Sequence, residues 1–278
     1  MNGYLRVAMA MPKVSVGNVI NNLDNIKSII NEAYEKNVKV INFPELSLTS
    51  CNLKDLYKDK NILNDVLYSL IELKYFSNNF DMLINISVPI EYRNNLIEAN
   101  VVIKQGNIIA IIPNNKENKY FDKISNIDDI YKIYDHINDI YLEVIIKDKF
   151  VLEYQNNQNI LMSFSSGDNY SSLCYSNVLF NSNSINENIY IDKDIKRICD
   201  KVHDKKSCIV CTNPSFTESS TDKVYFSKSF VYECDELISI NDSINNQLVI
   251  SDIDIDKIES MNKKFILDNV KIENVFFL

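Results

Sequence analysis

The chain has 278 residues, of which 29 are Lys or Arg and 38 are Asp or Glu, so its formal net charge is −9. This acidic surplus disfavours binding to nucleic acid or to anionic membrane surfaces, because both depend on clustered basic side chains. Hydrophobic residues make up 46% of the chain, and no apolar run reaches the roughly 18 residues of a membrane helix. We therefore expect a cytoplasmic protein with a large core and with no nucleic-acid or membrane partner.

The first 113 residues carry the clearest pattern. The apolar run YLRVAMAMP predicts a strand, and the next segment places apolar residues at helical spacing from Val19 to Ala33. The run VKVINFP predicts a second strand, so the chain opens with the strand, helix, strand order of a layered α/β domain. A helix is predicted over residues 61–79, and a hairpin is predicted across Gln105-Gly106-Asn107.

The pattern is weaker from residue 114 to residue 158. We predict a helix over residues 127–137 there, followed by strands near 141–146 and 149–154. Further on, the sequence predicts a helix near 192–203, the strands SCIVCTNP, KVYFSKSFVYE, ELISI and QLVISDIDI, and a closing helix before NVFFL. Because no internal repeat and no Pro/Ser-rich linker interrupts the chain, we predict one domain over residues 1–278.

Glu45 directly follows an apolar strand, in the segment INFPELSLTS. In a parallel α/β sheet, ligand groups gather at the carboxyl ends of the strands, so a carboxylate at this position is well placed to act as a base. A solvated loop Glu is the alternative explanation.

Cys174 lies in SSLCYSNVLF, which we interpret as the end of an apolar run followed by a polar loop. A thiol at a strand end becomes a nucleophile when a nearby base or cation favours the thiolate. A structural cysteine is the alternative explanation, since free cysteine is among the most buried residue types.

Several segments, in the same order over most of the chain, resemble the carbon–nitrogen hydrolases of the nitrilase superfamily, in particular the glutaminase domain of glutamine-dependent NAD synthetase. INFPELSLTS resembles the family's VVFPELSLTG, and TESSTDKVYFSKSFVYECDEL resembles GESTTDLVFGG with the strand pair after it. LCYSNV takes the place of EICEDLW, and LVISDIDIDKIESM resembles the closing strand and helix. The resemblance implies an α/β fold, a nitrilase-like α-β-β-α four-layer sandwich, with Glu45 as general base, Cys174 as nucleophile and no cofactor.

The third part of the family's machinery is a Lys that stabilises the oxyanion, at the start of a PKTYLPNY segment after the second hairpin. Here the residue directly after Pro113 is Asn114. Two alternatives follow. Either Lys116 or Lys119 supplies the amine, with Lys116 as the first candidate, or the chain has kept the fold and lost the chemistry.

Two functional hypotheses result. In the first, amidase activity is impaired or lost and the protein is a binding or assembly subunit, with a separate synthetase as a possible partner, since the sequence contains no SGGxDS phosphate loop. In the alternative, an active thiol amidase hydrolyses a small amide through Cys174, Glu45 and a displaced Lys116. The resemblance also implies a homodimer under either hypothesis.

Cys208 and Cys211 form a CxxC pattern, with Cys199 and His203 upstream. The segment SCIVCTNP predicts a strand, in which residues three apart point to opposite faces, so we predict no metal site there. All six cysteines are expected to be reduced thiols, because their spacing lacks the density of a secreted disulfide scaffold.

Overall fold

A computed structural model describes residues 3–114, 119–155, 159–186, 191–261 and 271–276. Within these ranges the strands form two sheets, and the first sheet has eight strands in the spatial order β14-β1-β2-β3-β4-β5-β7-β6. Their bounds are β1 (Tyr4–Ala10), β2 (Val40–Asn42), β3 (Leu83–Tyr92), β4 (Asn95–Lys104), β5 (Asn107–Pro113), β6 (Asp128–Asp135), β7 (Ile140–Lys147) and β14 (Leu248–Asp254). Strands β1, β2 and β3 are parallel, whereas β14 runs antiparallel to β1.

The second sheet has seven strands in the spatial order β13-β12-β11-β10-β9-β8-β15. Their bounds are β8 (Phe150–Gln155), β9 (Asn159–Ser166), β10 (Val178–Ser182), β11 (Cys208–Thr212), β12 (Phe230–Glu233), β13 (Glu236–Ile240) and β15 (Lys271–Phe276). Its centre is parallel, because β10 pairs in parallel with both β9 and β11.

Three helices cover the outer faces of the two sheets, namely α1 (Val19–Glu35), α2 (Lys60–Phe76) and α3 (Ile191–Lys205). The fourth helix, α4 (Ile255–Met261), instead packs through Ile255 and Ile258 on the apolar cluster between the sheets. The apolar stripes of α1 and α2 pack on the first sheet, where Ile26 and Leu70 join the same buried cluster as Ile84. On the second sheet, Val202 of α3 packs in a cluster with Ile209.

The two sheets pack face to face on a third apolar cluster. Leu5 and Val40 of the first sheet meet Met162 and Val210 of the second sheet there, and all four side chains are fully buried. The layer order is therefore helix, sheet, sheet, helix, which confirms the predicted α-β-β-α sandwich. None of the helices in the described ranges is both long enough and apolar enough to cross a bilayer.

The helix predicted over residues 127–137 is wrong, because residues 128–135 form strand β6. Ile127, Ile130 and Ile133 are three residues apart, which imitates one turn of an amphipathic helix. In the structure β6 pairs antiparallel with β7, and burial alternates, with Ile133 buried and Ile130 exposed. Pairing with a neighbouring strand has overridden the local spacing.

Candidate functional site

Glu45 lies where a strand of each sheet ends. It follows β2 through Phe43 and Pro44, and its backbone N–H donates to the carbonyl of Asn183, just beyond β10, over 3.3 Å. The Ser184 hydroxyl donates to Glu45 Oε2. The carboxylate is thus partly buried at the carboxyl end of β10, with a hydroxyl as one of its partners.

A buried network of amide side chains lies beneath this point, between the two sheets. Asn42 at the end of β2 donates through Nδ2 to the Asn181 carbonyl over 3.1 Å and to Thr212 Oγ1 over 2.8 Å. Asn85 donates to Asn42 Oδ1 over 2.6 Å and to Asn100 Oδ1 over 3.2 Å. Since all these groups are neutral and fully buried, the network ties the sheets together without ionised groups.

The carboxyl end of β9 supplies hydroxyls to the same network. Ser165 Oγ accepts from Asn181 Nδ2 over 3.0 Å, and Ser166 Oγ accepts from Asn100 Nδ2 over 2.8 Å. Asn181 in turn accepts from Asn183, whose carbonyl binds the Glu45 N–H. Ser165 is therefore linked to Glu45 by hydrogen bonds that pass through Asn181 and Asn183.

Sequence analysis missed these two serines. The available signal was the run NILMSFSSGD, an apolar segment that ends in two hydroxyls and a Gly. Gly167 has a φ of 57° and its N–H donates to the Ser182 carbonyl, so the strand ends in a turn that favours glycine at the carboxyl edge of the sheet.

Cys174 lies outside the strands of the second sheet. It ends a short 3₁₀ turn, Ser171–Cys174, in the connection that leads from β9 to the amino end of β10, and its side chain is exposed. Asn177, three residues later, donates to the Leu161 carbonyl at the start of β9 over 2.8 Å. Glu45 contacts the other end of β10, and this strand of five residues is about 16 Å long.

Asn114, which directly follows β5, contacts a buried carboxylate. Its N–H donates to the Glu98 carbonyl over 2.8 Å, and its Nδ2 donates to Glu98 Oε2 over 3.3 Å. Ser87 Oγ donates to the other carboxylate oxygen over 3.0 Å. Lys119 is exposed, with its Nζ 5.1 Å from the ring centroid of Tyr120, and Lys116 lies outside the described residues.

A second thiol and carboxyl group meet near Glu45. The backbone N–H of Cys51 donates to Glu218 Oε2 over 2.8 Å, and Glu218 is fully buried. Burial raises the pKa of Glu218 to about 7, since the charged carboxylate loses its hydration. Burial raises the pKa of the Cys51 thiol well above its ordinary value, and the charges of Glu218 and Glu45 raise it further.

The Glu45 charge also raises the pKa of the Cys211 thiol. Burial raises the pKa of this thiol strongly, and the Glu45 charge adds to the shift. A thiol becomes a better nucleophile when its pKa falls and more of it is thiolate. Because the pKa values of Cys51 and Cys211 are both raised, both side chains are neutral thiols. The arrangement around Glu45 provides a proton acceptor and several hydroxyl and amide donors, without a thiolate.

The CxxC cysteines point to opposite faces of β11. Cys208 packs in the cluster between the sheets, whereas Cys211 packs in the cluster beneath α3. In the described part of the chain, no three His, Cys, Asp or Glu side chains converge on a point that would hold a metal ion.

Comparison with known proteins supports the resemblance seen in the sequence. No family model matches the chain. The sequence is 29% identical over 127 residues to a glutamine-dependent NAD(+) synthetase of Aquifex aeolicus, which covers 43% of this chain and 22% of the relative. The chain therefore spans less than a quarter of the length of that relative in the match.

Solved structures extend the likeness over nearly the whole chain. A glutamine-dependent NAD(+) synthetase from Cytophaga hutchinsonii superposes with a TM-score of 0.77 at 14% identity, covering 91% of this chain and 43% of that one. An amidase from Nesterenkonia sp. superposes with a TM-score of 0.69 at 10% identity, covering 93% of this chain and 94% of the amidase. The chain has the nitrilase-superfamily fold, and its sequence is similar to NAD synthetases.

Proposed function

We propose that this protein keeps the carbon–nitrogen hydrolase fold but has impaired or lost amidase activity, and that it works as a binding or assembly subunit. The observation that supports this most directly is the placement of the two predicted catalytic groups at opposite ends of β10. A general base must come within hydrogen-bond reach of its nucleophile, roughly 3 Å or one bridging water. The separation along β10 is several times larger.

The composition around Glu45 supports the same proposal. The two residues that bond to it, Asn183 and Ser184, lie just beyond β10, and a serine hydroxyl is a much weaker nucleophile than a thiolate. Asn114 contributes a neutral amide where the family has an ammonium group. Loss of one oxyanion-stabilising group typically lowers kcat by about a hundredfold to a thousandfold.

One observation favours the alternative, an active thiol amidase acting on a small amide. Cys174 is exposed, so a substrate could reach its thiol without any opening of the core. In that case Glu45 would need help from another base, and Lys116 would have to act on the oxyanion.

Ammonia release from a panel of amides, glutamine included, tests the two candidates. We expect no release above the rate of the double variant Glu45→Gln/Cys174→Ala. Release by the wild type that disappears in both Cys174→Ala and Glu45→Gln, but persists in the matched control Cys199→Ala, would overturn the proposal in favour of the amidase. Circular dichroism of each variant verifies that it is folded.

The partner we propose is a synthetase module, because the relatives that the chain matches are glutamine-dependent NAD(+) synthetases. A cytoplasmic location belongs to the same proposal and is supported by the six free thiols. Co-purification of the tagged chain with a synthetase from the source cells would support the assembly role, and its absence together with amide hydrolysis would contradict it.

A further inference from the structure

Two loops meet next to Glu45, and one buried residue joins them. We call residues 45–54, which follow β2, the Glu45 loop, and residues 213–229, which precede β12, the Glu218 loop. The Cys51 N–H donates to Glu218 Oε2 over 2.8 Å, and the Asn52 side chain donates to the Glu218 backbone carbonyl. Two contacts of the Glu45 loop thus converge on a single residue of the other loop.

The Glu45 loop has a backbone conformation that depends on such contacts. Leu46, Ser50 and Lys54 all have positive φ values, of 54°, 87° and 57°. Residues other than glycine adopt this region at a cost in free energy, which the surrounding structure must compensate. We therefore expect the loop to leave this conformation when its contacts to Glu218 weaken.

The side chain of Glu218 is fully buried, and its titratable neighbours are acids. Its charge raises the pKa of Cys51 and of Tyr57 from the segment after β2, and that of Tyr225 from its own loop. Glu45 raises the pKa of Cys51 and Tyr225 as well. Among the described residues, no basic side chain contributes to the pKa of Glu218. An ionised Glu218 would therefore be buried without an opposite charge, which is strongly unfavourable.

Protonation of Glu218 is consequently coupled to closure of the two loops. In the closed arrangement burial raises its pKa from an ordinary value of 4.5 to about 7. Separation of the loops would expose the carboxyl group to water and return its pKa towards 4.5. A group that binds its proton more tightly in the closed state favours closure when protonated and opening when ionised.

We propose that Glu218 is a pH-operated clasp on the Glu45 loop. While Glu218 carries its proton, the loop is closed against the Glu218 loop. When Glu218 releases its proton to solvent, the loop opens and widens the access of water and small molecules to Glu45 and Cys51. The only chemical change is exchange of one proton with solvent. This inference goes beyond the proposed function, since the clasp controls access to Glu45 whatever binds there.

Hydrogen exchange of the Cys51 amide at several pH values tests the proposal, because this N–H is the group that Glu218 holds. The protection factor corrects for the intrinsic effect of pH on exchange. We expect it to fall roughly 50-fold between about pH 5 and pH 8, and to level off above about pH 7.5, as linkage to one proton requires. A protection factor that stays constant in the wild type would overturn the proposal.

Glu218→Gln identifies the group that titrates. Glutamine keeps an oxygen that accepts from the Cys51 N–H but cannot ionise, so the protection factor of this variant is expected to be independent of pH. The matched control is Glu233→Gln. Glu233 is also buried and accepts from the Asp254 N–H over 2.7 Å, but Lys257 Nζ lies 3.3 Å from its Oε1. The control is expected to keep the fall at Cys51, and a fall that persists in Glu218→Gln would contradict the clasp.

A core amide separates opening of the loops from unfolding of the whole protein. Phe180 is fully buried at the centre of β10, so its amide exchanges only through much larger openings. At pH 8 we expect the Cys51 amide to be at least about tenfold less protected than the Phe180 amide. Equal protection of the two amides would show that only global unfolding releases the Glu45 loop, and would overturn the proposal.

Discussion

The backbone N–H of Cys51 donates to the Glu218 carboxylate over 2.8 Å, and this bond joins two loops that are 167 residues apart in the sequence. One loop follows β2 and contains Glu45, and the other precedes β12. Asn52 also donates to the backbone carbonyl of Glu218, and Lys54 forms an ion pair with Asp222. With the Cys51–Glu218 bond, three polar contacts therefore connect the two loops.

The raised pKa of Glu218 makes the stability of the protein depend on pH. The folded protein binds this proton more tightly than the unfolded chain, whose carboxyl has a pKa near 4.5, compared with about 7 when folded. The stabilisation is present below the unfolded pKa and is lost as the pH rises through about 7. A shift of this size corresponds to on the order of 3 kcal/mol.

We therefore expect Glu218→Gln to remove most of the loss of stability between about pH 5 and pH 8. Urea unfolding of both proteins at several pH values measures this. The variant keeps an oxygen that accepts from Cys51, so its fold should survive. An unchanged pH slope in the variant would assign the dependence to other groups.

Thiol reactivity should separate the cysteines by exposure. Cys174 is exposed, whereas Cys208, Cys211 and Cys234 are fully buried. A fast phase of about one thiol per chain is expected with a small disulfide reagent under native conditions, and Cys174→Ser should abolish it. Cys234→Ser serves as the control and should leave the fast phase intact, and a fast phase that survives Cys174→Ser would place the reactive thiol elsewhere.

Asn85→Ala should be strongly destabilising. The Asn85 amide is fully buried and donates to Asn42 and Asn100, so its removal leaves two buried acceptors short of a donor. We expect a loss of about 3 kcal/mol in the free energy of unfolding. Asn107→Ala, at the exposed tip of the β4–β5 hairpin, is the matched control and should change stability by less than about 0.5 kcal/mol.

Much of the fold could be predicted from local pattern. The helix predicted over 61–79 corresponds to Lys60–Phe76 followed by a short 3₁₀ turn, and the helix near 192–203 corresponds to Ile191–Lys205. The predicted hairpin across Gln105-Gly106-Asn107 is the β4–β5 hairpin, with Gly106 at a positive φ of 74°. These elements follow from periodicity and turn residues, which are local properties.

The candidate site was harder to predict, because it forms where the ends of strands from two different sheets come together, and local sequence patterns do not show which strand ends are neighbours. The position of Glu45 follows from the strand that precedes it in the chain. Cys174 was proposed as the nucleophile from a segment match, whereas the run NILMSFSSGD, an apolar segment that ends in two serines and a Gly, marks the end of β9. The pairing of Ser166 with Ser182 across two parallel strands, which brings hydroxyls below Glu45, comes only from the register of the sheet.

Strand β1 has a consequence for how the protein is made. Strand β1 lies between β2 and β14. The Arg6 guanidinium donates two hydrogen bonds, of 2.7 and 2.8 Å, to the carboxylate of Asp252 on β14. While the ribosome is still adding residues before Leu248, the outer edge of β1 has no partner strand, and exposed edges of this kind promote aggregation. The first sheet gains strand β14 only after residue 254 has been synthesised, so one edge of β1 stays without a partner strand while most of the preceding residues are made.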